Sequence, residues 1–209
     1  MKTIAVTGGV GTGKSTLVSA LQEKLRIGSE ALFDCDGAVH KLLTTESILT
    51  KVAEAFGNEI LNPDGGVNRS ALRNIVFEDE ARRSELEGIL HPAVLTLAQT
   101  ALENAANRED QPTSFFLIEV PLLYEVDFPV KRDLDLVVAA SRETQINRLI
   151  EHRQLEPDTI ERLLSSQLPI SEKVERADLV IWNDGVLSEF KEQIDLLSQF
   201  LIQEQFHDN

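Results

Sequence analysis

The stretch KTIAVTGGVGTGKST, residues 2–16, decides how the rest of the chain is read. KTIAVT is short, β-branched and bounded by glycines, a pattern that predicts a buried strand. Gly8-x4-Gly13-Lys14-Ser15 follows at once, and Leu17, Ala20, Leu21 and Leu25 then recur at the spacing of an amphipathic helix. A glycine-rich loop between a strand and a helix is the setting a phosphate-binding loop requires. Glycines such as Gly8, Gly9, Gly11 and Gly13 let backbone N–H groups turn inward around the β- and γ-phosphates without Cβ clashes. The helix opening near Lys14 adds the positive end of its dipole. Lys14 reaches the phosphate oxygens, and the Ser15 hydroxyl is placed to ligate Mg2+. The chain is expected to bind a nucleoside triphosphate.

Four further strands are expected at EALFD (30–34), SFFLIEV (114–120), LDLVVAA (134–140) and ADLVIW (177–182). Each is nearly all apolar, as strands buried on both faces of a parallel sheet should be. Helical patterns separate them, and Phe190, Ile194, Leu197 and Leu201 stripe the last one. The fold class is therefore α/β, a doubly wound five-stranded parallel sheet within a single domain, 1–209. Between the second and third strands lie about eighty residues without a convincing strand, far beyond an ordinary crossover. They read as a helical insertion over roughly 37–112, with NPDGG (62–66) as a turn inside it.

Composition narrows the partners. Lys plus Arg number 20 against 35 Asp plus Glu, a formal charge of −15. That field repels nucleic acid and anionic membrane, so neither is expected as a partner. Nothing in the sequence calls for an obligate protein partner. A small anionic substrate instead requires locally clustered Arg and Lys. Cys35 is the only cysteine, so no intrachain disulfide forms. With no apolar run of membrane-spanning length and no signal peptide, the expected home is the cytoplasm.

FDCDG (33–37) admits three readings. D-x-D-G after a strand resembles the phosphoaspartyl motif of haloacid dehalogenase-type phosphatases, but here the first strand carries the phosphate loop and no paired acids follow a later strand. D-x-x-G resembles the magnesium-side motif of GTPases, but no N/T-K-x-D guanine motif occurs. In the third reading Asp34 ends a strand beside the phosphate loop and accepts a proton from an attacking hydroxyl. Its rival role is the N-cap of the helix opening near Gly37. Asp36 would orient the acceptor or hold Mg2+ through water, or would simply favour a helix start. Cys35 between them is expected in the core.

Further pieces are HPAV with His91, EVPLLYE (119–125) with Glu119 at a Walker-B-like position, SRETQINRLIEHRQ with Arg148 and Arg153, and ADLVIWNDG with Asn183 and Gly185. Together with TGGVGTGKST, FDCD, RLLSSQ and KVERADLVIWNDG, they run in one order over almost the whole chain. That combination resembles the dephospho-coenzyme A kinases, a P-loop nucleoside monophosphate kinase-like family. The resemblance implies transfer of phosphate from ATP, with Mg2+, to the ribose 3′-hydroxyl of dephospho-coenzyme A, giving coenzyme A and ADP. It implies that Gly8 to Thr16, Thr12 included, hold ATP, and that Asp34 is the base. Arg148 and Arg153 would close over the phosphates from a helical lid, roughly 142–172, and Asn183 and Gly185 would bracket the adenine. Asp36, His91, Pro121, Leu122, Leu123 and Glu125 would border the acceptor pocket. Ser15 would hold Mg2+, with Asp36 or Glu119 acting through water.

Plainer readings stand beside these. His91 packs or caps its helix, and Arg148 is a solvated helix residue near Glu151 and His152. Asn183 is an ordinary turn former, while Leu122 and Leu123 belong to the core. Gln167 packs or makes an internal hydrogen bond, and Trp182 either stacks near the nucleotide or seals a sheet edge. The nearest rival function is another nucleoside or metabolite kinase on the same scaffold. From a different class, the rival is a nucleotide-dependent switch protein.

Overall fold

The computed structural model describes residues 1–108 and 114–207. The chain divides into two compact units, Met1–Phe33 with Ala101–Asn209, and Asp34–Thr100. Five parallel strands form one sheet: β1 (Lys2–Gly8), β2 (Leu32–Asp34), β3 (Phe115–Glu119), β4 (Leu134–Ala139) and β5 (Leu179–Trp182), in the order β2-β3-β1-β4-β5. In register, Val6 of β1 lies opposite Glu119 of β3, and Gly8 lies opposite Val138 of β4. Every residue of β3 is buried, which is why its sequence is an unbroken apolar run up to Glu119.

The first unit also contains α1 (Lys14–Lys24), α6 (Arg142–Arg153), α7 (Pro157–Ser165), α8 (Ile170–Arg176) and α9 (Leu187–His207). The expected stripe Phe190, Ile194, Leu197 and Leu201 is buried along α9, which packs against α1. On α1 the buried residues are Leu17, Val18 and Leu21. From β1 the sheet order runs outward to β2, and from β4 it runs the other way to β5. The direction of winding thus reverses between β1 and β4, where a doubly wound sheet opens its ligand crevice.

The second unit is helical: α2 (Cys35–Leu42), α3 (Glu46–Phe56), α4 (Arg69–Glu78) and most of α5 (Glu80–Ala106). NPDGG is the expected turn, with the Asn62 amide donating to Gly66 O at 2.7 Å and Gly65 at φ +84. Its flanks meet only in an isolated bridge between Leu61 and Val67. Asn68 caps α4, its carboxamide oxygen accepting from the Ala71 amide at 3.1 Å. Pro92 lies inside α5, where its missing N–H removes one helical hydrogen bond. The insertion expected over 37–112 compares with a unit of Asp34–Thr100, and residues 109–112 lie outside the described residues.

Two strands start two residues later than expected, and the other strand ends shift by at most one residue. Residues Ser29–Ala31 form a 3-10 turn, so β2 starts at Leu32 instead of Glu30. β5 starts at Leu179, and the Asp178 carboxylate just before it accepts from the Asp135 amide at 2.7 Å. No described helix is long and apolar enough to cross a membrane.

Candidate active site

The phosphate-binding loop runs from Gly8 at the end of β1 to Lys14 at the start of α1. Gly13, the residue before that helix, has φ +98, a conformation open to glycine at little cost. A Cβ there would also lie 2.5 Å from Asn183 Nδ2. Within the loop, Thr12 Oγ1 donates to Gly9 O at 2.9 Å.

Four side chains from the C-terminal half hold this loop by its backbone. Gln145 Nε2 of α6 donates to Val10 O at 2.6 Å, and Gln167 Oε1 accepts from the Val10 amide at 3.0 Å. Asn183 Nδ2, just past β5, donates to Thr12 O at 2.8 Å. Arg148 of α6 donates to Gly11 O at 3.3 Å and Thr12 O at 3.4 Å through Nη1. Its Nη2 donates to Asn183 O at 2.8 Å and Asn183 Oδ1 at 3.3 Å. A planar fork with donors on both outer nitrogens suits this convergence of carbonyls. Arg148 thus lies against the loop, away from any pairing with Glu151 or His152. Asn183 is buried, 6% exposed, and serves as a tether and not as a surface turn.

Charge is arranged in two cation–carboxylate pairs. Lys14 Nζ and Ser15 Oγ both donate to Glu119 Oε1, the serine at 2.9 Å. Beside them Lys173 of α8, with 0% of its side chain exposed, pairs with Glu125 at 2.7 Å and donates to Pro121 O at 3.1 Å. Burial pushes the Lys173 ammonium below the usual lysine range; Glu125 opposes the shift and the positive charge of Lys14 reinforces it. Glu125 Oε1 also accepts from the Leu168 amide at 3.0 Å, and Thr7 Oγ1 donates to Pro121 O at 3.3 Å. Next to the Asn183 tether, Asp184 accepts from the Ser141 amide at 2.7 Å. Partial burial works to raise the Asp184 carboxyl, but hydrogen bonds from Ser141 and Thr144 and the charge of Arg148 outweigh it and hold it below the usual range.

The remaining residues singled out from sequence stand as follows. Asp34 closes β2 and occupies the N-cap position of α2, yet its exposed side chain makes no cap hydrogen bond. Asp36 is exposed in the first turn of α2, and Cys35 is buried. His91 is half-buried in the interior of α5, so it caps neither end. Leu123 is buried, Leu122 and Pro121 are half-buried, and Thr16 faces outward on α1. Arg153 is exposed in the last turn of α6 and Gly185 is exposed before α9. Trp182, on the edge strand, is 46% exposed.

Gln145 and Lys173 were missed by sequence reasoning. Gln145 had a signal, being a polar residue one helical turn before buried Leu149 on the same face. Lys173 had none, since a lysine in SEKVERAD reads as part of a solvated face. Among the described residues no group of three or more His, Cys, Asp and Glu gathers to cage a metal. The nearest fit is the hydroxyl of Ser15 with the carboxylate of Glu119, two hard oxygen donors in contact, of the kind Mg2+ takes alongside phosphate oxygens and water.

A family model described as dephospho-CoA kinase matches residues 2–189. A dephospho-CoA kinase of Symbiobacterium thermophilum is 36% identical over 93% of this chain and 79% of its own length. One of Leifsonia xyli is 37% identical, with coverage of 94% and 97%. The solved dephospho-CoA kinase from Campylobacter jejuni superposes with a TM-score of 0.65 over 95% of this chain and 96% of its own, at 23% identity, a likeness of fold.

Proposed function

The chain belongs to the dephospho-CoA kinase family, and from that premise we propose that it transfers the γ-phosphoryl group of ATP to the ribose 3′-hydroxyl of dephospho-CoA, the step that yields coenzyme A and ADP. The observation that carries this reading is the backbone-clamped phosphate loop, with Lys14 at the N-terminus of α1 and an oxygen pair beside it. Such an arrangement suits phosphoryl transfer, in which positioning and charge neutralisation do most of the catalysis.

Gly8 to Thr16 are assigned to ATP. Lys14 neutralises charge developing on the phosphate oxygens, and Arg148 adds its own while holding Gly11 and Thr12 in shape. Asp34 is assigned the base that takes the proton of the acceptor hydroxyl, a role its uncapped, exposed carboxylate supports. Asn183 and Gly185 are assigned to the nucleotide side, with Arg153 on the lid formed by residues 142–172. Asp36, His91 and the Pro121–Glu125 turn are assigned to the acceptor. Ser15 and Glu119 would hold Mg2+, with Asp36 the other acid considered. When bound, the metal supplies further neutralisation of the phosphate charge. A single, buried cysteine, with no second one to form an intrachain disulfide, agrees with a cytoplasmic home.

The test is to incubate the protein with Mg-ATP and dephospho-CoA and to follow ADP release and the mass of the acceptor. Coenzyme A should form, with little ADP when the acceptor is omitted and none in excess EDTA. Binding of ATP without coenzyme A formation would overturn the named acceptor.

A further inference from the structure

We propose that Lys173 is a positioning residue for the acceptor half of the reaction. It pins the Pro121–Glu125 turn and the connector between α7 and α8 into one body. This inference rests on the assignment of that turn to the acceptor.

A lysine with no exposed side-chain surface is rare unless its ammonium has partners, because the ion loses its hydration. Here both ends of one turn supply them. At its first residue Pro121 O accepts from Lys173 Nζ at 3.1 Å, and at its last Glu125 Oε1 pairs with the same ammonium at 2.7 Å. One ammonium therefore fixes the span of the turn, and with it the placement of Leu122 and Leu123 between the two anchor points.

The same carboxylate oxygen accepts from the Leu168 amide at 3.0 Å, so the turn is fastened to the root of the proposed lid. Thr7 Oγ1, at 3.3 Å from Pro121 O, ties the near end to β1. Glu125 Oε2 is buried with no hydrogen-bond partner, so this carboxylate depends on the Lys173 side for its compensation. The phosphate loop, by contrast, is held through Gln145, Arg148, Gln167 and Asn183, none of which is hydrogen-bonded to Lys173. Loss of Lys173 should therefore fall on the acceptor and spare ATP.

The experiment uses the full chain as wild type, Lys173→Met, Lys173→Met/Glu125→Gln and Leu122→Ala. Initial rates are measured with each substrate varied at saturating levels of the other, alongside urea unfolding. Lys173→Met should raise KM for dephospho-CoA about tenfold or more while KM for ATP stays within about twofold. If that variant does not fold, the double variant decides, because it removes both buried charges together. It should regain the wild-type urea midpoint but keep the raised acceptor KM. Recovery of both would make Lys173 a stability residue only and overturn the inference. So would equal changes in the two KM values, or none in a folded variant. Leu122→Ala separates the layers: an unchanged acceptor KM there defeats the assignment of the turn itself. A raised value there beside an unaltered Lys173→Met defeats only the role of Lys173.

Discussion

Replacing Asp34 separates a chemical role from a local structural one. The residue sits at the N-cap position of α2, where an aspartate commonly accepts a backbone N–H and its loss to alanine costs about 1 kcal/mol. In this protein the carboxylate makes no such bond and is exposed, so Asp34→Ala should change stability by less than about 0.5 kcal/mol. A lost general base, by contrast, lowers turnover by about 10²- to 10⁴-fold. At about 1.4 kcal/mol per tenfold, that adds about 3–5 kcal/mol to the barrier. Asp34→Asn sharpens the contrast, since asparagine caps a helix as well as aspartate but does not act as a carboxylate base. Both variants should lose activity alike, keep the urea midpoint and keep ATP binding. The assays are coupled ADP release at saturating substrates, urea unfolding, and titration with a fluorescent ATP analogue. Near-normal turnover in either variant would refute the base assignment. A drop of more than about 1 kcal/mol in Asp34→Ala alone, with Asp34→Asn active, would restore the capping role.

Lys14→Ala should abolish transfer and cost about 3 kcal/mol of stability, because Glu119 is left buried with only Ser15 beside it. Lys14→Ala/Glu119→Gln should recover the urea midpoint without activity, and unfolding curves of the pair check this. Gly13→Ala should cost about 2–3 kcal/mol, combining left-handed strain with displacement of the Asn183–Thr12 hydrogen bond, and should weaken ATP binding. An unchanged urea midpoint in that variant would contradict the clamp. Asp184 has a folded pKa below its free value of 3.8, so it stabilises the fold fully above that value. Its contribution is lost as pH falls through the lower folded pKa. Asp184→Asn should therefore be less stable than wild type at pH 7, with the gap closing in acid. Urea midpoints across that range measure it, and a gap that does not vary with pH would exclude the Ser141 and Thr144 contacts as its cause.

The legible features were those encoded over short windows. A β-branched run followed by spaced glycines and Lys-Ser already implied strand, phosphate loop and helix, and apolar runs placed β3, β4 and β5 to within two residues. The α9 stripe was readable because a helix burying one face repeats its apolar residues every three or four positions. The start of β2 was less so, since the 3-10 turn at Ser29–Ala31 depends on local hydrogen bonding that composition does not announce. Arg148 and Asn183 were singled out, but not for the contacts they make. Their partners are backbone carbonyls, which carry no residue-specific trace in a sequence.

By itself the sequence determined the fold class, the phosphate loop and the family to which the chain belongs, because each rests on periodicity or on motifs contiguous in the chain. Only the tertiary structure decided which side chains hold that loop. Gln145, Arg148, Gln167 and Asn183 lie more than a hundred residues from the carbonyls and amide they grip, brought there by the parallel order of β1, β4 and β5. Lys173 makes the same point most sharply. A lysine in a run of charged residues is solvated by default, and only the packing of α8 on the sheet at β4, with Glu125 and Pro121 at hand, makes its burial the stable arrangement.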